Sequence, residues 1–367
     1  MSRRKGTIRI NKRKFDILAT TLCVILGVVI LITGTFTVMR MMGRRNMNTP
    51  AAGTGEEPMN IGQQVSEIEG IPDLEQGVIV YKDAKYRLNE DMITILVMGI
   101  DKELVDHIAG QTWSDPTGAF SGGQADALFL VLLNPHNKEI SVVAINRNAM
   151  VDNEIYNSMG NYIGMRSQQI CLQHGYGDGG AESCERQVRA VSRLFRGLAI
   201  NSYAAISMDA IPKLNDAVGG VTVEVLENIN IPRYNVKFVK GDVVTLLGND
   251  AFWYVKYRDT DIFDSATMRL ARQKQYITAF GTKAKQKALE DIRVAADLYT
   301  LMQAYTTTDM DINSFTYLAS ETAGYSFSYE NIYSLKGETE LVGEYEEYHV
   351  DDEALEDLII RLFYEPV

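Results

Sequence analysis

The chain has 367 residues, a formal net charge of −12 at neutral pH, and 46% hydrophobic residues. This hydrophobic content supports a packed core and argues against a wholly disordered chain. The first 45 residues carry +9, which leaves −21 on the remainder. An acidic main region argues against nucleic-acid binding, because that binding needs basic surface to displace the counterions of phosphates.

An uncharged run of 22 residues extends from Ile17 to Val38. At about 1.5 Å rise per residue, a helix of this length spans roughly 30 Å, which is the hydrocarbon thickness of a bilayer. A cleaved signal peptide is the alternative, although its apolar region has only about 7–15 residues. Basic residues are more numerous before the run than after it, which predicts a cytoplasmic N-terminus and a main domain outside the cell.

The predicted organisation is that of a single-pass protein of the cell membrane, and it has four parts. These are a basic cytoplasmic tail at 1–16, a transmembrane helix at 17–39, a linker at 40–77 and an extracellular domain at 78–367. The linker is assigned because residues 43–76 are rich in Gly, Pro, Glu and Asn and show little periodicity.

Strands and helices alternate within the predicted extracellular domain. Apolar runs at 92–98, 127–133, 140–145 and 253–257 predict buried strands. The second and third of these strands are separated by a short turn cluster at 134–138, which predicts a hairpin. Helices are expected at 184–196, 209–218, 266–287 and 353–363. The fold class is therefore α/β, with a mixed central sheet covered by helices on both faces, preceded by one N-terminal transmembrane helix.

Two cysteines, Cys171 and Cys184, belong to the extracellular domain. In an oxidising exterior they are able to form a local disulfide. With His174 they also form a C-x-x-H…C pattern, which resembles a zinc site that lacks a fourth ligand. The sequence leaves the disulfide, the zinc site and two free thiols open.

Two acidic residues lie at the ends of predicted strands, where ligands gather in open α/β sheets. Asp101 follows one strand and Asp126 immediately precedes the next. Arg147 follows a third strand. Alone, each residue is also explained as an ordinary turn former or a solvated surface charge.

Further cations follow in the second half of the chain. Lys256 and Arg258 are expected to share one face of a strand, because side chains two positions apart do so. Arg269, Arg272 and Gln273 are expected on one helix face. Guanidinium groups bind phosphate oxygens in pairs, so a convergence of these residues suits a pyrophosphate. A second row, Arg186, Arg189, Arg193 and Arg196, is interpreted as a solvated helix face, with contact to a polymer as the alternative.

The order and spacing of these blocks resemble the LytR-CpsA-Psr family of cell-wall glycopolymer ligases. The segments that carry the resemblance are 93–101, 124–127, 144–149, 217–223, 246–258 and 269–273. The resemblance implies a transferase of cell wall biogenesis, a phosphotransferase that moves an anionic glycan from a polyprenyl-pyrophosphate carrier to peptidoglycan at the outer membrane face.

The resemblance also implies the roles of individual residues. Asp101 and Asp126 would hold Mg²⁺ through carboxylate oxygens. Asp126 is also the candidate general base, and Arg147 the cation at the reacting phosphate. The residues implied to bind the pyrophosphate are Arg147, Lys256, Arg258, Arg269 and Gln273. Water in place of the sugar hydroxyl would give pyrophosphate hydrolysis as a side activity.

The chain departs from the family pattern at several of these positions. Gln124 stands where an arginine is usual, Asn146 where a proline is usual, and Asn148 where an aspartate is usual. Lys256 replaces the first arginine of an R-x-R segment and loses bidentate geometry. A non-catalytic protein that binds polyprenyl phosphates or wall polymers, as a scaffold or regulator, is therefore the alternative function.

Overall fold

The computed structural model describes residues 31, 33–55, 63–64, 78–101, 122–157, 159–259 and 261–367. The predicted tail, most of the predicted transmembrane helix and part of the predicted linker lie outside these ranges, so they stay predictions. Among the residues so described, no helix combines the length and apolarity needed to cross a bilayer.

The α-helices of the described residues are numbered in chain order. They are α1 at 33–47, α2 at Ala181–Leu194, α3 at Ile211–Ala217, α4 at Asn249–Lys256, α5 at Ser265–Glu290, α6 at Ile292–Tyr305, α7 at Ile312–Thr322 and α8 at Asp352–Phe363. A longer 3₁₀ segment covers Ile170–Tyr176.

The strands are numbered in the same way. They are β1 at Gln63–Gln64, β2 at Val78–Tyr81, β3 at Ala84–Leu88, β4 at Ile93–Asp101, β5 at Gln124–Asn134, β6 at Glu139–Ile145, β7 at Met150–Tyr156, β8 at Tyr162–Gln169, β9 at Ser202–Ser207, β10 at Val221–Glu224, β11 at Ile229–Ile231, β12 at Val236–Phe238, β13 at Val243–Leu246, β14 at Thr306–Thr308, β15 at Ile332–Ser334, β16 at Gly337–Val342, β17 at Tyr345–Val350 and β18 at Tyr364–Pro366.

The central sheet has six strands in the order β14-β9-β4-β5-β6-β15. The pairs β4–β9 and β6–β15 are parallel, whereas β9–β14, β4–β5 and β5–β6 are antiparallel. The predicted mixed sheet is therefore confirmed. The hairpin predicted at 134–138 is confirmed as well, because it joins β5 to β6.

Helices cover both faces of this sheet, as predicted. Since successive side chains of a strand point to opposite faces, each strand contributes to two cores. Leu96 and Leu130 pack in one core with Val188 of α2 and Ile359 of α8. On the other face, Phe129, Val142 and Ala144 pack against Leu270 of α5. Helix α5 therefore covers this second face of the sheet.

The strand predicted at 253–257 is wrong, because this segment belongs to helix α4 and its exit. The buried side chains of α4 are Ala251, Phe252, Tyr254 and Val255. Their spacing is that of one helix face, and a short apolar run does not distinguish a strand from a buried helix. Lys256 is therefore the last residue of a helix, and Arg258 follows in the loop rather than on a shared strand face.

Helices α1 and α7 belong to a compact unit of their own, formed by residues 33–47 and 311–323 among those described. A Cβ atom at Gly43 would overlap the backbone oxygen of Asn313, so only glycine permits this close approach. Arg40 and Glu321 form an ion pair at 2.7 Å. Helix α1 extends to Met47, so it includes residues 40–47, which were predicted as part of the linker.

Three of the four arginines predicted on a solvated face, Arg186, Arg189 and Arg193, contact groups within the fold instead, whereas Arg196 lies beyond α2 and pairs with the exposed Asp352. The guanidinium of Arg186 lies 3.4 Å from the centre of the Tyr156 ring, and the residue is only 4% exposed. Arg189 and Arg193 both contact Glu154 of β7, at 2.7 and 2.8 Å. Burial opposes ionisation of Glu154, but hydrogen bonds from these neighbours lower its pKa to about 2. The row therefore ties α2 to the hairpin β7–β8.

Replacing Glu154 by glutamine is expected to lower the free energy of unfolding by about 3 kcal/mol at pH 7, because it leaves two arginines without their charge partner. The depressed pKa means that the wild-type contribution is complete above about pH 4.5 and is lost as the pH falls toward 2. Urea unfolding at several pH values measures both effects. Glu182→Gln, which removes a 52% exposed partner of Arg186, should change stability far less.

Cys171 and Cys184 are both buried and neither is disulfide-bonded, so the structure favours neither the disulfide nor the zinc site. The Cys184 sulfur lies 3.8 Å from Nε2 of His174. Over the described ranges, no group of three or more His, Cys, Asp or Glu side chains is placed to hold a metal ion. The C-x-x-H…C pattern therefore packs within the fold.

Non-reduced protein is expected to carry both thiols in reduced form. Alkylation followed by intact-mass and peptide-mass measurement should find no label on Cys171 or Cys184 in the native state and one label on each after denaturation, with Cys23 scored separately. A mass two daltons lower, with no labelling of either cysteine after denaturation, would instead establish the disulfide.

Candidate active site

A β-bulge places Asp126 at the end of the central sheet. Gly99 of β4 pairs with Ala127 of β5, but the next residue, Ile100, pairs with Ala125, so Asp126 has no partner on β4. Bulges of this kind redirect side chains and are common beside active sites. Asp101 ends β4 and pairs with Gln124, so the two predicted carboxylates lie on adjacent strands.

Two arginines share the carboxylate of Asp126. Its Oδ1 lies 3.2 Å from Nε of Arg147, and its Oδ2 lies 3.6 Å from Nη1 of Arg269. The side chains of Asp126, Arg147 and Arg269 are 10%, 14% and 6% exposed, respectively. Although Oδ1 and the Arg147 Nε are buried and close, their geometry is not that of a hydrogen bond, and neither has another partner. The pair therefore retains unused hydrogen-bonding capacity.

Arg147 follows β6 and lies between Asp126 and two further groups. Its Nη2 donates to Oε1 of Gln124 and also lies 3.1 Å from the sulfur of Cys171. Burial raises the pKa of the Cys171 thiol, and Arg147 only partly offsets this. Cys171 is therefore a neutral neighbour, and Asp126 provides the negative charge beside Arg147.

The second carboxylate, Asp101, has a different cationic partner. Its Oδ2 lies 3.1 Å from Nζ of Lys256, at the end of α4. Nζ also lies 4.8 Å from the centre of the Phe252 ring. Both charged side chains are largely buried, at 8% and 18% exposure. Lys256 therefore reaches Asp101 from the end of helix α4 and not from the strand that was predicted at 253–257.

Arg258 contacts a carboxylate that the sequence did not single out. Its Nη2 lies 2.6 Å from Oε2 of Glu346, on β17, and its Nε donates to the Ser265 hydroxyl at 2.9 Å. Glu346 is 9% exposed. Because it lies far along the chain, in a segment outside the recognised blocks, no local pattern indicated it.

Gln273 and Arg272 contact the backbone of α4 and its exit. Gln273 donates to the carbonyl oxygen of Val255 at 3.2 Å. Arg272 donates to the carbonyl oxygens of Tyr254 and Tyr257 and pairs with Glu227 at 2.7 Å. Cationic donors of this kind stabilise the carbonyls at a helix C-terminus. The two side chains therefore fix the end of α4, and with it Lys256 and Arg258.

The structure thus brings six of the seven predicted site residues into one charged cluster. Its cations are Arg147, Lys256, Arg258 and Arg269, and its carboxylates are Asp101, Asp126 and Glu346. Four cations and three anions leave the cluster with a formal charge of +1. Burial lowers the pKa of Arg269 to about 10; Asp126 opposes this shift, whereas the nearby Arg147 and Arg258 add to it. A bound anion would relieve this excess of buried positive charge.

The carboxylates are compatible with a divalent cation that the substrate completes. In proteins, Mg²⁺ is commonly held by one or two carboxylates, with phosphate oxygens and water as its other ligands. Asp101 and Asp126 supply hard oxygen donors on neighbouring strands, and Oδ1 of Asp126 accepts no hydrogen bond. The donor set is therefore suitable for Mg²⁺ bound together with a phosphate.

Comparison with known proteins gives several relatives. The transferase TagU of Oceanobacillus iheyensis, named a polyisoprenyl-teichoic acid–peptidoglycan teichoic acid transferase, is 26% identical over 238 residues, which is 64% of each chain. TagU of Halalkalibacterium halodurans is 25% identical over 172 residues, 47% of each chain. Biofilm regulatory protein A of Streptococcus mutans is 26% identical over 257 residues, 68% of this chain and 58% of that protein. The chain therefore spans about half to two thirds of the length of these relatives.

Solved structures share the fold. TagV of B. subtilis superposes with a TM-score of 0.56 at 22% identity, covering 74% of this chain and 95% of TagV. A structure of TagT bound to LI-WTA gives 0.51 at 18% identity, covering 74% and 89%. A family model, the LytR_cpsA_psr family, matches residues 60–362. Because this match spans most of the chain and includes the whole charged cluster, the chain belongs to the LytR_cpsA_psr family.

Proposed function

We propose that this protein transfers an anionic glycopolymer from a polyprenyl-pyrophosphate carrier to peptidoglycan. The observation that carries the proposal is the buried carboxylate of Asp126, shared by Arg147 and Arg269 at the end of the sheet. The names of the TagU relatives, which describe teichoic acid transferases that act with peptidoglycan, support the same reaction class.

The four cations of the cluster would bind the pyrophosphate oxygens. Arg147 and Arg269 bring planar guanidinium groups that suit paired contacts with phosphate, whereas Lys256 provides a single ammonium charge. These groups are already held in place by carboxylates and backbone, so little reorganisation is needed when charge develops on the leaving phosphate. The cluster is therefore built to stabilise transferred negative charge rather than to attack the substrate covalently.

The transfer exchanges one P–O bond for another. The oxygen of an acceptor sugar hydroxyl bonds to the phosphorus on the glycan side, and the bond from that phosphorus to the bridging oxygen breaks. Polyprenyl phosphate leaves with the bridging oxygen and its electron pair. Asp126 is the candidate that accepts the hydroxyl proton, through the carboxylate oxygen that would not hold the metal. Water in place of the hydroxyl gives pyrophosphate hydrolysis as a side activity.

Asp101 and Asp126 would hold Mg²⁺ in this scheme. When bound, the metal supplies charge neutralisation at the pyrophosphate. In the structure both carboxylates contact cations, Asp101 with Lys256 and Asp126 with Arg147 and Arg269. If the two carboxylates held Mg²⁺, these cations would be able to turn toward phosphate oxygens, which would couple metal and substrate binding.

The proposed reaction takes place at the outer face of the cell membrane. This proposal depends on the uncharged run at 17–38 and on the excess of basic residues before it. A carrier with a polyprenyl tail lies in the bilayer, so an anchored enzyme meets its substrate without releasing it into water.

Asp126→Asn is expected to lower the rate of polyprenyl phosphate release at least about 100-fold, because it removes both the charge and the proton acceptor. Arg147→Ala is expected to have a similar effect. The full-length protein in detergent is mixed with a polyprenyl-pyrophosphate-linked sugar and a peptidoglycan oligomer. Released polyprenyl phosphate and sugar on the acceptor are then measured by mass spectrometry.

Asp242→Asn is the matched control, since this carboxylate is exposed in the turn before β13. It should retain the wild-type rate. EDTA should stop release in the wild type, and added Mg²⁺ should restore it. Tight carrier binding with no release, with or without Mg²⁺, would contradict the transferase proposal and favour a scaffold.

A further inference from the structure

Glu346 joins three parts of the cluster through hydrogen bonds that it accepts. Arg258 Nη2 donates to Oε2 at 2.6 Å, and Asn148 Nδ2 approaches the same oxygen at 3.3 Å. The backbone N–H of Asp264 donates to Oε1 at 2.9 Å. One buried carboxylate therefore orients Arg258, Asn148 and the end of the loop that leads into α5.

This arrangement fixes which way the Asn148 amide points. A carboxylate only accepts hydrogen bonds, so the amide nitrogen has to face Glu346, and a flipped amide would set two acceptors against each other. Oδ1 of Asn148 is then left buried with no hydrogen-bond donor, in a residue that is 2% exposed. Buried acceptors of this kind are rarely left unmatched, which points to a donor from outside the protein, either an ordered water or a ligand group.

The missing donor cannot be a phosphate oxygen, because ionised phosphate oxygens only accept. A sugar hydroxyl donates, and the sugar of a carrier-linked glycan is bonded directly to the phosphate that Arg258 would bind. We propose that Asn148 forms a sugar-hydroxyl subsite beside Arg258, with Asn148 Oδ1 as the acceptor and Glu346 as the positioning residue. This subsite rests on the proposed function and specifies how the sugar next to the pyrophosphate is recognised.

The same geometry gives a physical reason for asparagine at position 148. The family pattern places an aspartate there. With Glu346 present, an aspartate would bring two carboxylates to about the 3.3 Å separation that the amide and Glu346 now have. Like charges at this distance repel strongly in a buried site. Glu346 therefore provides the negative charge beside Arg258, and Asn148 provides a neutral acceptor.

The test compares two probes on the full-length protein in detergent, with Mg²⁺ present. One probe is geranyl pyrophosphate, and the other is the same compound linked to N-acetylglucosamine. Isothermal titration gives both dissociation constants. The dissociation constant of geranyl pyrophosphate divided by that of the sugar-linked probe, called the ratio below, measures recognition of the sugar. Asn148→Ala should weaken binding of the sugar-linked probe roughly tenfold and leave geranyl pyrophosphate almost unchanged, because one hydrogen bond to the sugar is lost.

The remaining variants separate the subsite from general damage. Glu346→Gln should also reduce the ratio, because the amide orientation of Asn148 is no longer enforced. Glu347→Gln, on the same strand but in contact with His349, should leave it unchanged. Asn148→Asp alone should reduce the ratio, because it places two carboxylates together. The double variant Asn148→Asp with Glu346→Gln should recover the wild-type ratio, since it again pairs one carboxylate with one amide. Thermal unfolding of each variant confirms that it is folded.

The outcomes distinguish the subsite from the function on which it rests. If the wild type binds geranyl pyrophosphate but Asn148→Ala leaves the ratio unchanged, or weakens both probes equally, the subsite is wrong and the anion site stands. If the wild type binds neither probe, both proposals are overturned. A selective loss in Asn148→Ala that the exchanged pair reverses would establish the subsite.

Discussion

The charged cluster depends on the shared carboxylate of Asp126. Its position comes from the bulge between β4 and β5, and its charge holds Arg147, which follows β6, and Arg269 of α5. A buried carboxylate without cationic partners would be strongly destabilising. The end of the sheet, the loop after β6 and the first turns of α5 are therefore held together by one interaction. The same interaction concentrates cations at the proposed pyrophosphate site.

A site built in this way resolves a conflict between stability and binding. Four bare cations in a buried position would repel one another, yet a pyrophosphate site needs them close together. The carboxylates of Asp101, Asp126 and Glu346 balance all but one of these charges in the absence of substrate. In the proposed function, an anion and a metal would exchange partners with these existing ion pairs, so binding would not require the cations to be assembled at that moment.

The sequence predicted the parts of this site that depend on local patterns. Asp101, Asp126 and Arg147 were placed correctly at strand ends, because long apolar strands are visible from their composition. The helix at 249–256 was missed, since an apolar run of five residues fits a strand equally well. Glu346 was missed because its role depends on a contact with Arg258 across 88 positions of the chain. Long-range partners of this kind follow from packing and leave no trace in local periodicity.

The departures from the family pattern are coupled to one another in space. Gln124 accepts a hydrogen bond from Arg147, so the arginine usual at 124 would instead set two guanidinium groups together. Lys256 reaches Asp101 as a compact charge, and Asn148 turns its amide to Glu346. Each substitution has a neighbour that accounts for it, and the cluster keeps a positive charge. This pattern fits a site with a changed distribution of donors and acceptors better than one that has lost its function. Of these positions, Lys256 and Gln124 belong to the proposed pyrophosphate site and Asn148 to the proposed sugar subsite, so the departures redistribute charge and hydrogen-bonding groups across both.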